Sequence, residues 1–193
     1  MHQYVLYLAS QSPRRCELLE QIGVRFRVVD TDVDESRQAG ESPTEYVERV
    51  ALLKATTAMQ SLADDLTPVL GADTTVVLDE NCLGKPDSRE SALQMLSLLS
   101  GRQHEVLSAV AMVNGVHSST RLSVSKVTFC ELSEHQMQTY CDSGEPFDKA
   151  GAYAIQGRAA RFISDLHGSY SGVMGLPLYE TAQLLEEFHI DIS

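Results

Sequence analysis

The chain has 193 residues and a formal net charge of −12, from 15 Lys and Arg against 27 Asp and Glu. This acidity argues against binding of long nucleic acids through phosphate neutralisation, but it allows a local basic pocket for a small anion. Hydrophobic residues make up 43% and charged residues 22%, which is typical of a globular α/β domain. Because no run of 18 apolar residues occurs, the sequence predicts no transmembrane helix and no membrane partner.

The cysteines indicate a reducing environment. They form no Cys-x-x-Cys pair, and their wide spacing suits neither a zinc site nor a compact disulfide framework. We therefore expect reduced thiols and a cytoplasmic location. The four residues are Cys16, Cys82, Cys130 and Cys141.

The first half of the chain alternates predicted strands and helices. Ser12-Pro13 places an N-cap residue before a proline in the first helical turn, and Ser42 opens a capping box with Glu45. The acidic stretch between the second strand and second helix is predicted to be a loop. The predicted elements are strands at 5–8, 26–29 and 69–78, and helices from Ser12 to Gly23 and from Ser42 to about Leu62.

The second half adds a hairpin to this alternation. Asn114-Gly115 is a favoured two-residue turn between two long strand-like runs. Strands alternating with helices, plus one hairpin, predict a mixed α/β sheet. The predicted elements are helices at 88–99, from Ser133 to near Gly144 and at 177–188, and strands at 104–113, 116–129, 152–155 and 161–163.

One motif with possible anion-binding chemistry follows the first strand. Ser10 and Ser12-Pro13 lead into a helix whose first turn carries Arg14 and Arg15. Free N–H groups at a helix start bind anions, and arginine adds bidentate bonds to phosphate. An ordinary capped helix with exposed arginines is the alternative. The position directly after a strand, where open α/β sheets bind ligands, favours the phosphate site.

A second motif places a carboxylate inside an apolar strand. Asp73 interrupts the run at 69–78, although strands disfavour Asp and a buried carboxylate needs a partner. Asp73 is either a structural residue bonded to nearby backbone, or a catalytic base or metal ligand. The residues alone leave these alternatives open.

Two further segments are candidates for substrate contacts. Gly84-Lys85-Pro86 is a turn that lacks the spacing of a Walker A loop, so Lys85 alone is most simply a solvent-exposed lysine. The small-residue stretch at 145–157 contains Gln156, whose amide matches the acceptor and donor pattern of uracil or thymine. Tight packing explains that stretch equally well. The glycine-rich stretch at 168–177 is either a second anion-binding helix start or a structural turn.

Taken together in chain order, six motifs resemble the Maf family of nucleoside triphosphate pyrophosphatases over residues 8–185. They are S-x-S-P-R-R, G-A-D-T, G-K-P, L-S-G-x-x-H-x-V, D-K-A-G-x-Y-x-I-Q-G and G-S-Y-S-x-V-x-G-L-P. The resemblance implies a single domain over residues 1–193, with an elongated mixed β-sheet flanked by helices and a cleft between two lobes. It also implies a homodimer, and hydrolysis of a nucleoside triphosphate to the monophosphate and pyrophosphate with a divalent metal.

The resemblance further implies a substrate subtype. The stretch from Lys149 to Gly157 is similar to that of members acting on dTTP and UTP. The subtype acting on 7-methyl-GTP tends to carry Cys in place of Lys149 and Glu in place of Gln156. Mild departures are Ser108, where threonine is common, and Gly172, where many members have asparagine.

The family's site residues carry over to matching positions. The resemblance implies that Asp73 orients or deprotonates the attacking water or instead binds the metal, and that Glu35 is a ligand for Mg²⁺ or Mn²⁺. The resemblance also implies that Gln156 contacts the base or a phosphate-bound water. The expected catalytic residues are Asp73, Lys85, Glu35 and Gln156, and the expected substrate-binding residues are Ser10, Arg14, Arg15, Lys54, Thr74 and Lys149.

Other functions compete with this expectation. One is a regulator of cell division that senses nucleotides without turnover, and another is a pyrophosphatase for a modified nucleotide such as 7-methyl-GTP. A third is an interaction domain without catalysis. The combination of Asp73, Glu35 and Lys85 favours hydrolysis, because together they supply what metal-assisted attack requires.

Overall fold

A computed structural model describes residues 4–63 and 66–191. The two ends of the predicted domain, residues 1–3 and 192–193, lie outside the described residues. Its strands form one mixed sheet in the order β2-β1-β3-β5-β6-β7, with β4 paired to β3. The strands are β1 (Leu6–Ala9), β2 (Phe26–Val28), β3 (Val69–Leu78), β4 (Asn81–Leu83), β5 (Gln103–Val113), β6 (Ser118–Phe129) and β7 (Ile163–His167). The α-helices are α1 (Pro13–Gln21), α2 (Pro43–Ser61), α3 (Arg89–Leu99), α4 (Glu134–Asp142), α5 (Tyr170–Met174) and α6 (Leu178–Glu187). These elements confirm the mixed α/β sheet flanked by helices.

The sheet has a gap along one edge of β3. β5 pairs antiparallel with β3 along its other edge, from Val69 to Val77. On the gapped edge, β1 pairs in parallel only as far as Gly71, and β4 pairs antiparallel only from Val76 onward. Residues 72–75 therefore lie between the two shorter strands. Because both strands run toward this gap, the residues that follow β1 and β4 converge on it.

Helix α2 covers one face of the sheet and approaches β3 closely. Ala51 and Ala55 are fully buried, and a Cβ on Gly71 would lie 2.3 Å from the Ala51 carbonyl oxygen. A larger residue at position 71 would push the helix away. The small residues therefore bring α2 close to the part of β3 that carries Asp73.

The opposite face carries two separate apolar clusters. Helices α1 and α6 contribute to one cluster, which includes Leu70 and Val110, and α3 and α4 contribute to the other, which includes Val76 and Val106. Cross-strand partners Thr74 and Ser108 lie between these two positions on β3 and β5. A polar pair thus marks the boundary between the two clusters, level with the gap.

The structure confirms most predicted elements and corrects some. The predicted strand at 152–155 is wrong, because Gly151 and Ala152 have φ values of 68° and 61° and form part of a short 3-10 helix. Of the predicted strand at 161–163 only Ile163 belongs to a strand, since residues 158–162 form another 3-10 helix. Strand β4 and helix α5 were not predicted. Across the described residues, no helix combines the length and apolarity that a membrane crossing requires.

Candidate active site

A buried lysine joins two carboxylates at the gap in the sheet. Lys54 of α2 donates to Asp73 Oδ1 of β3 across 2.8 Å, and its Nζ lies 2.9 Å from Glu35 Oε1. Lys54 and Asp73 are only 9% and 6% exposed, whereas the Glu35 side chain is half exposed. The ammonium group therefore offsets the cost of burying Asp73 and leaves Glu35 accessible from solvent.

Burial controls the protonation of this cluster. It raises the pKa of Asp73, against the opposing influence of Lys54 and Arg15. Tyr46 lies on the same helix as Lys54, and burial, followed by the charges of Asp73 and Glu35, raises its pKa to about 12. Tyr46 consequently stays protonated near neutral pH, and Asp73 has a higher proton affinity than an exposed aspartate.

Arg15, in the first turn of α1, lies near the Lys54–Asp73–Glu35 cluster and is held partly by the residues that follow β1. Arg15 donates through Nε to the Gly175 carbonyl across 2.8 Å and through Nη1 to Ser10 Oγ across 3.1 Å. The Ser12 backbone N–H also donates to Ser10 Oγ, across 3.2 Å. These bonds fix the guanidinium beside the gap. The glycine-rich stretch at 168–177 thus supplies a carbonyl that orients Arg15.

Asp148 neutralises two of the predicted substrate-binding cations. Its carboxylate lies 3.0 Å from Arg14 Nη1 and also accepts a bond from Lys149. Asp148 belongs to the segment after α4, whereas Arg14 belongs to α1, so this ion pair joins two segments that are 134 residues apart in the chain. An anionic ligand that binds these two cations has to compete with Asp148.

Lys85 is differently placed. It follows β4, is exposed, and makes no ion pair or hydrogen bond within residues 4–63 and 66–191. The backbone of its turn is fixed, because the Gly84 carbonyl accepts a 3.0 Å bond from the Gly151 N–H. Lys85 thus combines a fixed backbone with an uncommitted ammonium group.

Thr74 takes part in a short hydroxyl chain. Ser108 Oγ donates to the Gly172 carbonyl across 2.6 Å and lies 2.7 Å from Thr74 Oγ1. Since Ser108 has a single hydroxyl proton, Thr74 donates to Ser108 and retains acceptor capacity. The two departures from the usual Maf residues, Ser108 and Gly172, are therefore direct partners.

Two adjoining cavities of about 290 and 600 Å³ surround this gap and share several lining residues. The structure brings all ten predicted site residues to their walls, although their roles stay predictions. The first cavity is lined by Asp73, Thr74, Lys149 and Gln156, the second by Ser10, and both by Arg14, Arg15, Glu35, Lys54 and Lys85. Gln156 is exposed at its wall.

Sequence reasoning did not select several residues that also line these cavities. Asp148 stood beside Lys149 in a recognised motif, so its charge was a usable signal. Tyr46 lies two helical turns before Lys54, a spacing that places both near one face of α2. Tyr153 was hidden in a stretch predicted to be a strand. These three residues and Thr75 all lie on the wall of the first cavity.

Formal charges in the two cavities balance. Five basic residues line them, and five acidic residues do so as well. The lining residues therefore do not neutralise the roughly four negative charges of a triphosphate, which a bound cation would partly offset. The basic residues are Arg14, Arg15, Lys54, Lys85 and Lys149, and the acidic ones are Asp30, Asp32, Glu35, Asp73 and Asp148.

The carboxylates fit a divalent metal that takes some of its ligands from the protein and the others from a bound substrate. Glu35 and Asp73 both reach the same lysine nitrogen, so their oxygens converge. In the described part of the chain, no group of three or more His, Cys, Asp or Glu residues forms a complete metal site. Mg²⁺ is commonly held by one or two carboxylates together with substrate phosphates and water, which matches this arrangement.

These features define a pair of adjoining cavities lined by a buried carboxylate and several cations. The chain belongs to the Maf-like protein family, which it matches over residues 5–188. The resemblance seen in the sequence motifs is thereby confirmed over nearly the whole chain.

Among individual relatives, the dTTP/UTP pyrophosphatase of Alkalilimnicola ehrlichii is 57% identical, covering 96% of this chain and 94% of the relative. The dTTP/UTP pyrophosphatase of Xanthomonas oryzae pv. oryzae is 55% identical, covering 95% of this chain and 98% of the relative. The structure of the Staphylococcus aureus Ham1 protein aligns with a TM-score of 0.49 and 15% identity, covering 95% and 97% of the two chains.

Proposed function

We propose that this chain hydrolyses dTTP and UTP to the nucleoside monophosphate and pyrophosphate, through attack of water on the α-phosphorus. The observation that carries this proposal is the buried Asp73 carboxylate, held by Lys54 at a gap lined with further cations. The names of the similar proteins support the choice of substrates.

The cations suggest how the triphosphate binds. We place its phosphates among Ser10, Arg14, Arg15 and Lys85, since these groups lie together in the second cavity. Lys85 forms a new ion pair there without losing an existing one. Arg14 exchanges Asp148 for a phosphate oxygen, which makes its contribution smaller.

Asp73 is the group we assign to activation of water. Lys54 binds Oδ1, while Oδ2 makes no hydrogen bond within the described residues and is available to accept a proton. A bond forms between the water oxygen and the α-phosphorus, the bond from that phosphorus to the α–β bridging oxygen breaks, and pyrophosphate leaves. The raised pKa of Asp73 suits this role, because a base works best when its pKa approaches the working pH.

Glu35 would hold Mg²⁺ or Mn²⁺ when Asp73 is the base; in the alternative, Asp73 would be a second ligand and the bound cation would activate the water. When bound, such a cation offsets the negative charge of the phosphates, which the equal numbers of basic and acidic lining residues leave unneutralised. Lys54 keeps the two carboxylates near each other before substrate arrives. Glu35 is the better placed metal ligand, since its side chain is half exposed and Asp73 is buried.

In this proposal the nucleobase of the substrate binds in the first cavity, beside Gln156. Gln156 is exposed there and offers both a donor and an acceptor, which matches the imide edge of thymine and uracil. Lys149 occupies the same wall. Both residues agree with the dTTP and UTP subtype rather than the 7-methyl-GTP subtype.

The test is a nucleotide panel with purified protein and Mg²⁺ or Mn²⁺, with products separated by chromatography. The panel holds dTTP, UTP, CTP, ATP, GTP and 7-methyl-GTP. We expect monophosphate and pyrophosphate from dTTP and UTP. Release of a single phosphate contradicts the reaction, and binding without turnover favours the nucleotide-sensing alternative.

A cytoplasmic homodimer stays the prediction for location and assembly, and analytical ultracentrifugation tests the assembly.

A further inference from the structure

The segment that carries Gln156 is anchored on both sides by hydrogen bonds to its backbone. Gln156 itself is exposed, and its neighbours at 154 and 159 are buried. Two side chains outside the cavity walls supply these anchors, Tyr140 of α4 and Glu145 just after it. We call this pair the Tyr140–Glu145 clamp.

Tyr140 forms the first anchor. Its hydroxyl accepts from the Ala154 N–H across 3.3 Å and donates to Glu145 Oε1 across 2.9 Å. Tyr140 is 1% exposed, so no water replaces it easily. A buried N–H that loses its partner is costly, and the chain is therefore held at Ala154, two residues before Gln156.

Glu145 forms the second anchor. Its carboxylate accepts from the Arg158 N–H across 3.0 Å and from the Ala159 N–H across 3.4 Å. A Cβ on Gly157 would lie 2.3 Å from Glu145 Oε1, so glycine allows the carboxylate to reach these groups. The anchors thus begin two residues before and two residues after the exposed Gln156.

Aromatic packing supports the same region from below. The ring of Tyr140 meets that of Phe162 edge to face, with centroids 5.4 Å apart. Phe129 packs against Tyr153 at 4.9 Å, and the Tyr153 hydroxyl lies 2.9 Å from His104 Nε2. The clamp is therefore fixed to the core rather than to a loose surface loop.

We infer that the Tyr140–Glu145 clamp sets the selectivity for the base, by holding the backbone of Gln156 in the position that recognises an imide edge. Both are positioning residues, because neither lines the cavities. This inference rests on the proposed function. A long, exposed glutamine discriminates between bases only if its backbone is fixed, since a mobile amide adapts to either hydrogen-bonding pattern.

The principal test compares UTP with CTP in the Glu145→Gln variant. The glutamine keeps the side-chain length but replaces one acceptor oxygen with a donor that faces backbone N–H groups. We expect the ratio of kcat/KM for UTP over CTP to fall about tenfold, the equivalent of one hydrogen bond, mainly through KM. Glu134→Gln on the exposed start of α4 is the matched control and should leave the ratio unchanged.

A second pair of variants guards against misfolding. Tyr140→Phe removes the first anchor, and Tyr179→Phe, at a tyrosine that is 71% exposed, is its control. Gly157→Ala displaces the Glu145 carboxylate with no change at Glu145, and its φ of −104° is open to alanine. Each clamp variant should lower the same ratio, whereas a merely structural role would lower the melting temperature and leave the ratio intact.

The decisive arm places Glu145→Gln in a Gln156→Ala background. If the clamp acts through Gln156, the UTP/CTP ratio of the double variant equals that of Gln156→Ala alone. A folded clamp variant with the wild-type ratio, or a further fall in the double variant, overturns the inference. If the wild type hydrolyses neither nucleotide, the proposed function fails separately. In that case, the ratio of the UTP and CTP affinities, measured by calorimetry in the same variants, tests whether the clamp sets the selectivity.

Discussion

The two walls of the cleft are built in different ways. One wall carries the Lys54–Asp73–Glu35 cluster and Arg15, whose charged side chains hold one another or are held by carbonyl and hydroxyl oxygens. The other wall is the segment at 150–162, which is held through backbone N–H groups and aromatic packing. Charge is concentrated on the first wall, whereas the second depends on the shape of its backbone.

This difference separates rate from selectivity. In the proposed reaction, groups on the charged wall act where negative charge moves during displacement at the α-phosphorus, so their loss should reduce kcat. In the proposed binding mode, groups on the backbone-held wall contact the base, which does not react, so their loss should change which base is accepted. Variants on the two walls therefore test the comparison directly.

The largest effect is expected from Asp73→Asn. The amide keeps the shape of the side chain but cannot accept the proton of the attacking water, so kcat should fall about 10²–10⁴-fold. Steady-state kinetics with dTTP measure the loss, and a thermal melt checks that the protein stays folded. Near wild-type turnover in the folded variant would remove Asp73 from the reaction.

Lys85→Met should come next. Lys85 is an uncommitted cation, and if it stabilises the transition state as an oxyanion donor does, its loss should lower kcat about 10²–10³-fold. The same kinetic assay applies. Lys126→Met, at an exposed position of β6, is the control, because it removes an equal charge away from the cavities. Equal losses in the two variants would show that only overall charge matters.

A pH profile sharpens the assignment of Asp73. Burial raises its pKa above the ordinary 3.8. As the pH is lowered, kcat/KM should therefore begin to fall at a higher pH than it would with an exposed aspartate as the base. The folded protein holds this proton more tightly than the unfolded chain, so the contribution of Asp73 to the free energy of unfolding is present at low pH. It is lost as the pH rises from 3.8 through the raised value.

Denaturant unfolding of the wild type and Asp73→Asn across this pH range measures that contribution. The stability of the wild type relative to the variant should decrease as the pH rises. An opposite slope, or an acid limb of kcat/KM at the ordinary aspartate value, would contradict a raised pKa.

The smallest effect is expected from Asp148→Asn, which breaks the ion pairs of Asp148 with Arg14 and Lys149. Asp148 is 65% exposed, and such pairs are worth about 0–1 kcal/mol, so releasing Arg14 and Lys149 should tighten pyrophosphate binding up to about fivefold. Calorimetry measures this change. Asp142→Asn, which breaks an exposed pair with Arg89, is the control. Weaker binding in Asp148→Asn would show that Asp148 assists anion binding.

Local signals predicted most of the fold. Ser42 and Glu45 form both bonds of the expected capping box, since its partners are only three residues apart. Strand β4 escaped prediction because three residues carry too little periodicity. The strand predicted at 152–155 failed because Ala152 adopts a positive φ, which its apolar neighbours do not indicate.

The sequence predicted residues that line the two cavities, but not the contacts that those residues make with one another. Family resemblance singled out Lys54, Asp73 and Glu35 individually, and the structure joins them through one nitrogen. That junction depends on Gly71 admitting α2 close to β3, which is a tertiary contact without a local sequence signal. Asp148 likewise meets Arg14 across 134 positions of the chain.

The most direct test of the account is hydrolysis of dTTP in ¹⁸O-labelled water, with both products analysed by mass spectrometry. Attack on the α-phosphorus, as we propose, puts the label into the monophosphate and none into pyrophosphate. Label in pyrophosphate would show attack at the β-phosphorus and would contradict the proposed mechanism.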